Sequence, residues 1–375
     1  MVTLNYTPYS GGVVSSIQAI AKQLRAAGHR VVIMTLDFTG HDPEEQDVIR
    51  IPARLRFRYK QNPVAIPQSM RQWMHNVLDR ENPDIVHVHH PLLIGSIAAR
   101  LAKRRHIPVI FTHHTLYDRY AHYLPLPGII TRPIIRWWVA RFCNRVDAVI
   151  APSSFVKHQL LQDKVHAHIA VMPSPIASYF LASEQSKKPE VSKPLQLLTV
   201  SRFMPEKNLY TLLDVCRKLP LDQFHLTLIG FGAEYKRLYD YAYHVLGFSK
   251  DQIAFVVRPP KHVIAEWYRN ADLFLFTSQT ETQGLVLAEA MGAGTPVIAL
   301  QGPGVEDIVV SGYNGFLVDS PDAMIQKIRD YIAHRLCIAE LQRGARTTAE
   351  YYTPKKQGKH LIALYQEVRK NHAAH

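Results

Sequence analysis

Cysteine is scarce in this chain of 375 residues: Cys143, Cys216 and Cys337 stand far apart and are odd in number. Such a set argues against a disulfide framework and for a reducing compartment, and none of the three reads as a nucleophile. Long apolar runs are missing as well. No stretch nears the roughly 20 consecutive apolar residues that a membrane span needs, and no charged-then-apolar signal segment opens the chain. Acidic residues are the third shortage, with 31 Asp and Glu against 44 Lys and Arg, a net charge of +13. What remains is a globular composition, 47% hydrophobic and 20% charged, at a length that suits two ordinary domains, each with its own core. The expectation is a soluble or peripheral protein of the cytoplasm.

The positive charge is unevenly placed. Residues 1–180 carry 21 Lys and Arg against 11 Asp and Glu, a net of +10, whereas residues 181–375 carry 23 against 20, a net of +3. A basic first half beside a nearly neutral second half implies an anionic partner for the first. Nucleic acid is disfavoured, because the basic residues are not interleaved in any recognised module. Two segments suit an anionic membrane instead. In the first, Arg54, Arg56, Arg58 and Lys60 alternate with Leu55, Phe57 and Tyr59, giving an extended strand one basic and one apolar face. A solvated edge strand whose charges discourage pairing fits the same pattern. In the second, TRPIIRWWVARFCNRVD from Thr131, Trp137 and Trp138 sit among arginines on a predicted helix. That is either an interfacial helix or a core helix with snorkelling arginines.

Strands and helices alternate along the chain. A first strand leads through Gly11 and Gly12 into an amphipathic helix, and Val31–Thr35 is the next strand. Paired glycines there let backbone approach a bulky ligand and permit φ > 0. With almost no residues ahead of that first strand, a natural start a few codons earlier is expected. Strands follow at 84–89, 109–112 and 148–151, the order of a parallel Rossmann-like half. A polar Lys/Ser/Pro-rich run at 181–194 reads as a linker. The second half repeats the alternation, with strands near 195–200, 225–230 and 253–257. The predicted division is 1–180, linker 181–194, 195–350, and a final helix in 351–375.

The most informative stretch is ADLFLFTSQTETQGLVLAEAMGAGTPVIAL, Ala271 to Leu300. It reads as strand, loop, helix, strand, the loop lying where anionic ligands bind in open α/β sheets. Glu281 falls in the loop and Glu289 about two turns along the helix. Carboxylates there suit sugar hydroxyls better than phosphate, although a dipole-complementing Glu plus a solvated one is the commoner fate of such a pair. Earlier, SRFMPEKN ends another strand, and its Arg202 and Lys207, five apart, can clamp a diphosphate. Histidines 87, 89, 90, 113 and 114 cluster at two strand ends. They lack the Cys or carboxylate help usual for zinc, so no metal site is expected.

The TETQGLVLAEAMGAGTPVIA segment resembles the E-x₇-E signature of retaining nucleotide-sugar glycosyltransferases, family 4 of the GT-B fold. The resemblance spans nearly the whole chain, with 87–125 and 201–208 next in strength. Residues 89–125 are similar to the acceptor region of members that glycosylate diacylglycerol. The resemblance implies two facing Rossmann-like domains with a C-terminal helix crossing back to the first. It implies transfer of a hexose from a UDP- or GDP-sugar, with retention, to a hydroxyl of a diacylglycerol-type lipid at the inner face of a membrane. A phosphatidylinositol-type or soluble carbohydrate acceptor is the alternative, and a GT-B epimerase or phosphorylase a more distant one.

Residue by residue, the resemblance puts Glu281 on the transferred sugar, Glu289 on the ribose, and Arg202 and Lys207 on the diphosphate. Gly11 and Gly12 approach the donor, and His114, with His113 as runner-up, stands beside the sugar. Gly230, Arg258, Gly284 and Leu285 complete the donor-binding set. Arg258-Pro259-Pro260 departs from the small Gly-containing turn of relatives. No Asp-x-Asp is present, the motif metal-dependent glycosyltransferases use to hold a divalent ion, so the implied chemistry needs no metal or other cofactor.

Overall fold

The computed structural model describes residues 1–7, 11–38, 47–59, 62–118, 127–181, 193–278 and 280–374. Most of the expected linker, 182–192, lies outside the described residues, as do Lys60 and the backbone at 119–126. The chain divides into two compact units, one of Met1–Pro173 with Gln357–His375, the other of Ser174–Lys356.

In the first unit, α1 (Gly12–Ala26) precedes the parallel pair β1 (Ile33–Leu36) and β2 (Val48–Ile51). A two-stranded antiparallel ribbon follows, β3 (Ala53–Tyr59) with β4 (Asn62–Pro67). Then come α2 (Met70–Glu81), β5 (Val86–Val88), α3 (Ile94–Lys103), β6 (Val109–Thr112), α4 (Gly128–Cys143), β7 (Ala148–Ala151), α5 (Ser154–Gln162) and β8 (His168–Val171). Strands β5 to β8 form a parallel sheet in sequence order. Residues 1–3 join it to β1: Val2 bridges Met34 on one side and Val88 on the other, both parallel. These strands are short continuous apolar runs because both faces are covered. Along β6 and β7, Val109, Phe111, Val149 and Ala151 pack with α2 to α5 on one face. The alternate residues Ile110, Ala148 and Ile150 pack with α1 and the chain's last helix on the other.

The second unit is doubly wound. It comprises β9 (Leu195–Arg202), α6 (Leu209–Arg217), β10 (Phe224–Phe231), α7 (Tyr235–Asp240), β11 (Ile253–Val257), α8 (Lys261–Asn270), β12 (Leu273–Phe276), α9 (Leu285–Gly292), β13 (Val297–Leu300), β14 (Gly315–Val318), α10 (Pro321–Ile332) and α11 (Ile338–Tyr351). The sheet order is β11-β10-β9-β12-β13-β14, all pairs parallel. Alternation again sorts the core. Leu273, Leu275 and Ile298 face α6 and α10, and Phe274, Phe276, Val297 and Ala299 face α8, α9 and α11. The last helix, α12 (Pro354–Ala373), belongs to the first unit from Gln357 onward. Its Leu361, Leu364 and Val368 are buried with Ile17, Ile20 and Ile33. Among the described residues no helix is long and apolar enough to cross a membrane.

Candidate functional site

In the second unit the sheet order reverses at β9, with β10 on one flank and β12 on the other. Such a switch point opens a crevice at the carboxyl ends of the strands. The loops leaving β9 and β12 therefore lie side by side, and hydroxyls tie them together. Thr277 Oγ1 donates to the Lys207 and Asn208 carbonyls, 3.1 Å each, and Ser278 Oγ to the Glu206 carbonyl at 3.4 Å. On this frame Lys207 Nζ forms an ion pair with Glu281 Oε1, both side chains being less than one fifth exposed. Arg202, at the end of β9, is half exposed and lies 3.3 Å from Glu206.

Helix α9 starts at Gly284, whose φ of +70° a side chain would resist. Gln283 fixes the approach: its side chain bonds the Ser174 N–H at 2.8 Å and carbonyl at 3.0 Å. The first turn, beginning with Leu285, presents orphan N–H groups and the positive end of the dipole to an anion. Glu289, about one turn on, accepts a hydrogen bond from the Tyr268 hydroxyl at 3.1 Å. Burial pushes its carboxyl up to about 7, against the pull of that bond and of Lys261. Near neutrality it is shared between the protonated and ionised forms, so it can both donate to and accept from hydroxyls.

Two of the expected donor-side residues also have constraints of their own. Gly230 is required by packing, since a Cβ there would meet the Ser201 carbonyl oxygen at 1.8 Å. Arg258 adopts φ +51° and lays its guanidinium 4.8 Å from the Phe231 ring centroid, a cation–π contact. Phe231 and Tyr268 were both silent in the sequence. Their roles rest on strand ends and helix faces that only the fold brings together.

In the first unit the histidines form a ladder at the carboxyl ends of β5 and β6. His87 and His89, two apart on one strand and so on one face, stack with centroids 4.2 Å apart, and His89 stacks on His114 at 5.2 Å. Hydrogen bonds run Tyr365 hydroxyl to His87 Nδ1 (2.7 Å), His87 Nε2 to Thr112 Oγ1 (2.6 Å), and His89 Nδ1 to His114 Nε2 (2.9 Å). Burial, with mutual repulsion, drives His114 down to about 3 and holds His87 and His89 well below the usual histidine range. Burial takes His90 and His113 down to about 4.

All five are therefore neutral at pH 7. Among the described residues His89 Nε2 is buried without a partner, and an orphaned lone pair costs less than an orphaned N–H. His89 accordingly donates from Nδ1, and His114 carries its proton on Nδ1. His113 is 5% exposed and packs edge-on against Phe111 and Tyr117, whereas His114 is only partly buried. Among the described residues no group of three or more His, Cys, Asp or Glu is placed to hold a metal.

The glycine pair is a correction. Gly11 caps α1 with φ −170°, ordinary extended backbone, and Gly12 begins the helix. Neither has positive φ, so conformational need does not explain them. Among the described residues a Cβ on Gly12 would meet nothing within 4 Å.

The basic segments also sort themselves. Among the described residues strand β3 pairs with β4 alone, and Leu55 (54%) and Phe57 (43%) are exposed as well as Arg54 and Arg56. Arg56 forms an ion pair with Asp37, and the side chain of Arg58 lies outside the described residues. On α4, Ile130, Ile134 and Trp137 are each more than half exposed, with Arg141 5.7 Å from the Trp137 ring centroid. The core-helix alternative fails for this face. It holds better for the next residue: Trp138 is partly buried, stacks on Phe142 and packs against the core.

Comparison with known proteins gives the lineage. Residues 10–178 match the model described as Glycosyltransferase Family 4, and residues 182–350 match Glycosyl transferases group 1. An alpha-monoglucosyldiacylglycerol synthase of Streptococcus pneumoniae is 30% identical over 326 residues, 82% of this chain and 72% of that protein. Its namesake from Acholeplasma laidlawii is 24% identical over 96% of this chain and 94% of its own. Among solved structures, HepE of Anabaena, crystallised with UDP, superposes with a TM-score of 0.77 at 18% identity, covering 98% of this chain and 99% of that one. The chain therefore belongs to the family 4 glycosyltransferases, a two-domain enzyme of the GT-B fold in line with the diacylglycerol glucosyltransferase group.

Proposed function

We propose that this glycosyltransferase moves a hexose from a UDP- or GDP-sugar to a hydroxyl of a diacylglycerol-type membrane lipid, with retention of anomeric configuration and without a metal ion. The observation that carries the donor half is the Lys207–Glu281 ion pair at the switch point, one loop from the start of α9. A donor diphosphate laid against the α9 N-terminus takes Lys207 as its counter-ion, with Arg202 as a second cation. That frees Glu281 to accept hydrogen bonds from the sugar. Glu289, neutral for part of the time, suits the ribose hydroxyls. No single side chain is an evident base, so the departing phosphate takes the acceptor's proton on the face it leaves, which gives retention. His114, neutral and donating from Nδ1, orients the sugar.

The acceptor half is supported by the name of the Streptococcus pneumoniae relative and by two exposed segments of the first unit that pair apolar side chains with arginines, β3 and α4. These suit the headgroup level of an anionic membrane on the cytoplasmic side.

The test is a matrix of UDP- and GDP-hexoses against diacylglycerol in mixed vesicles, with chelator present and the anomeric configuration of the product read by NMR. An α-linked glycolipid from an α-linked donor is expected. Glycosylation of water-soluble acceptors alone would sink the lipid assignment, an inverted product the retaining one, and dependence on added divalent cation the metal-free one. Release of free sugar would point to an epimerase-type enzyme.

A further inference from the structure

At the opposite edge of the first unit's sheet, where β5 and β6 begin, lies a second cavity of about 1190 Å³. Asp84 and Pro108, just ahead of those strands, form its floor, and its walls are the carboxyl ends of α3, α4 and α12. The histidine ladder sits at the other ends of the same strands, so the two sites are separate. Among the described residues six cationic side chains line the cavity, Arg100, Lys103, Arg104, Arg105, Arg145 and Arg369, with Asp84 the one carboxylate.

Two of these charges are already engaged, Arg105 with Asp79 at 2.6 Å and Arg369 with Asp84 at 2.9 Å. Among the described residues Arg100, Lys103, Arg104 and Arg145 have no carboxylate at ion-pair distance. Cations at helix carboxyl ends do complement the macrodipole, but each helix end offers only about half a negative charge. Three such ends leave four unpaired full charges well in excess. Arginine-rich concavities of this kind match the geometry of phosphate oxygens.

We infer that this cavity is a binding site for a phosphate-bearing anion, distinct from the donor site. The shared chemistry is a phosphate group held by Lys103, Arg104 and Arg145. Its source is either a free phosphorylated molecule or the headgroup of an anionic phospholipid. The reading does not depend on which acceptor the enzyme uses.

Two arms separate the sources, both on the full chain with saturating UDP to occupy the donor site. In one, inorganic pyrophosphate is titrated calorimetrically. In the other, co-sedimentation is measured with phosphatidylcholine vesicles lacking or containing phosphatidylglycerol. Each is run on the wild type and on two double variants, Lys103→Ser/Arg104→Ser and Arg100→Ser/Arg145→Ser, whose exposed side chains can be lost without harm to the core. At least tenfold weaker pyrophosphate binding in both variants is expected if the source is a free phosphate. An equal loss of phosphatidylglycerol-dependent retention is expected if it is a headgroup. The proposal is overturned if the wild type binds neither probe, or if folded variants bind both as the wild type does.

Discussion

Lys207 and Glu281 neutralise each other in the donor-free protein, so each is held ready by the other and neither carries an uncompensated charge in a half-closed crevice. Lys207→Ala and Glu281→Ala should each lower kcat/KM by roughly a hundred- to a thousandfold, the usual cost of a transition-state contact. Circular dichroism should show both variants folded, and unchanged turnover in the two would remove the assignment. Glu289 and the histidines make opposite pH predictions. Glu289 is raised from 4.5 to about 7, so the native protein holds more protons than the unfolded chain between those values. Its contribution is complete below pH 4.5 and is lost as pH rises through 7, at up to about 1.4 kcal/mol per pH unit. His90, His113 and His114 are depressed from 6.5 to between about 3 and 4. Their contribution is present above pH 6.5 and is lost on acidification. Hydrogen exchange should therefore show acid between pH 7 and 5 loosening the first unit while Glu289 tightens the second. Glu289→Gln should flatten the second response alone; an identical profile in that variant would contradict it.

Elements were legible in the sequence where one local pattern fixes the outcome. The two strands expected at the ends of the Ala271–Leu300 stretch occur at Leu273–Phe276 and Val297–Leu300, because buried parallel strands read as short apolar runs regardless of their neighbours. Trp137 and Trp138 were not separable by composition, yet successive residues lie about 100° apart on a helix, and only one can face out. The spacing Ile130, Ile134, Trp137, Arg141 is the signal that marks the exposed stripe. Ile134→Ser/Trp137→Ser should reduce binding to anionic vesicles severalfold with little change in melting temperature, whereas Trp138→Ser should do the reverse. Equal effects in both assays would mean that α4 is not a membrane-facing element. The histidine ladder was illegible for a different reason. Its stack and hydrogen bonds join β5, β6 and α12, and no window of sequence contains all three.

At the scale of the molecule, two sheets with cores on both faces explain why the halves could be told apart from strand–helix alternation alone. What alternation could not show was the ownership of the C-terminal helix, which the resemblance supplied. Gln357–His375 completes the first unit although the intervening chain, Ser174–Lys356, folds into the second. Ending the protein at Lys356 should therefore destabilise the first unit, exposing Ile17 and Ile33, by several kcal/mol and leave the second unit's melting transition in place. Loss of both transitions together would refute that separation.

The same discontinuity has a consequence on the ribosome. When the first 173 residues have emerged, the apolar groove beside α1 that will receive Leu361, Leu364 and Val368 is still bare. At ordinary elongation rates it stays so for roughly 10–40 s while the second unit is made. The nascent chain carries an open hydrophobic seam for that interval, and it is sealed only when α12 leaves the tunnel.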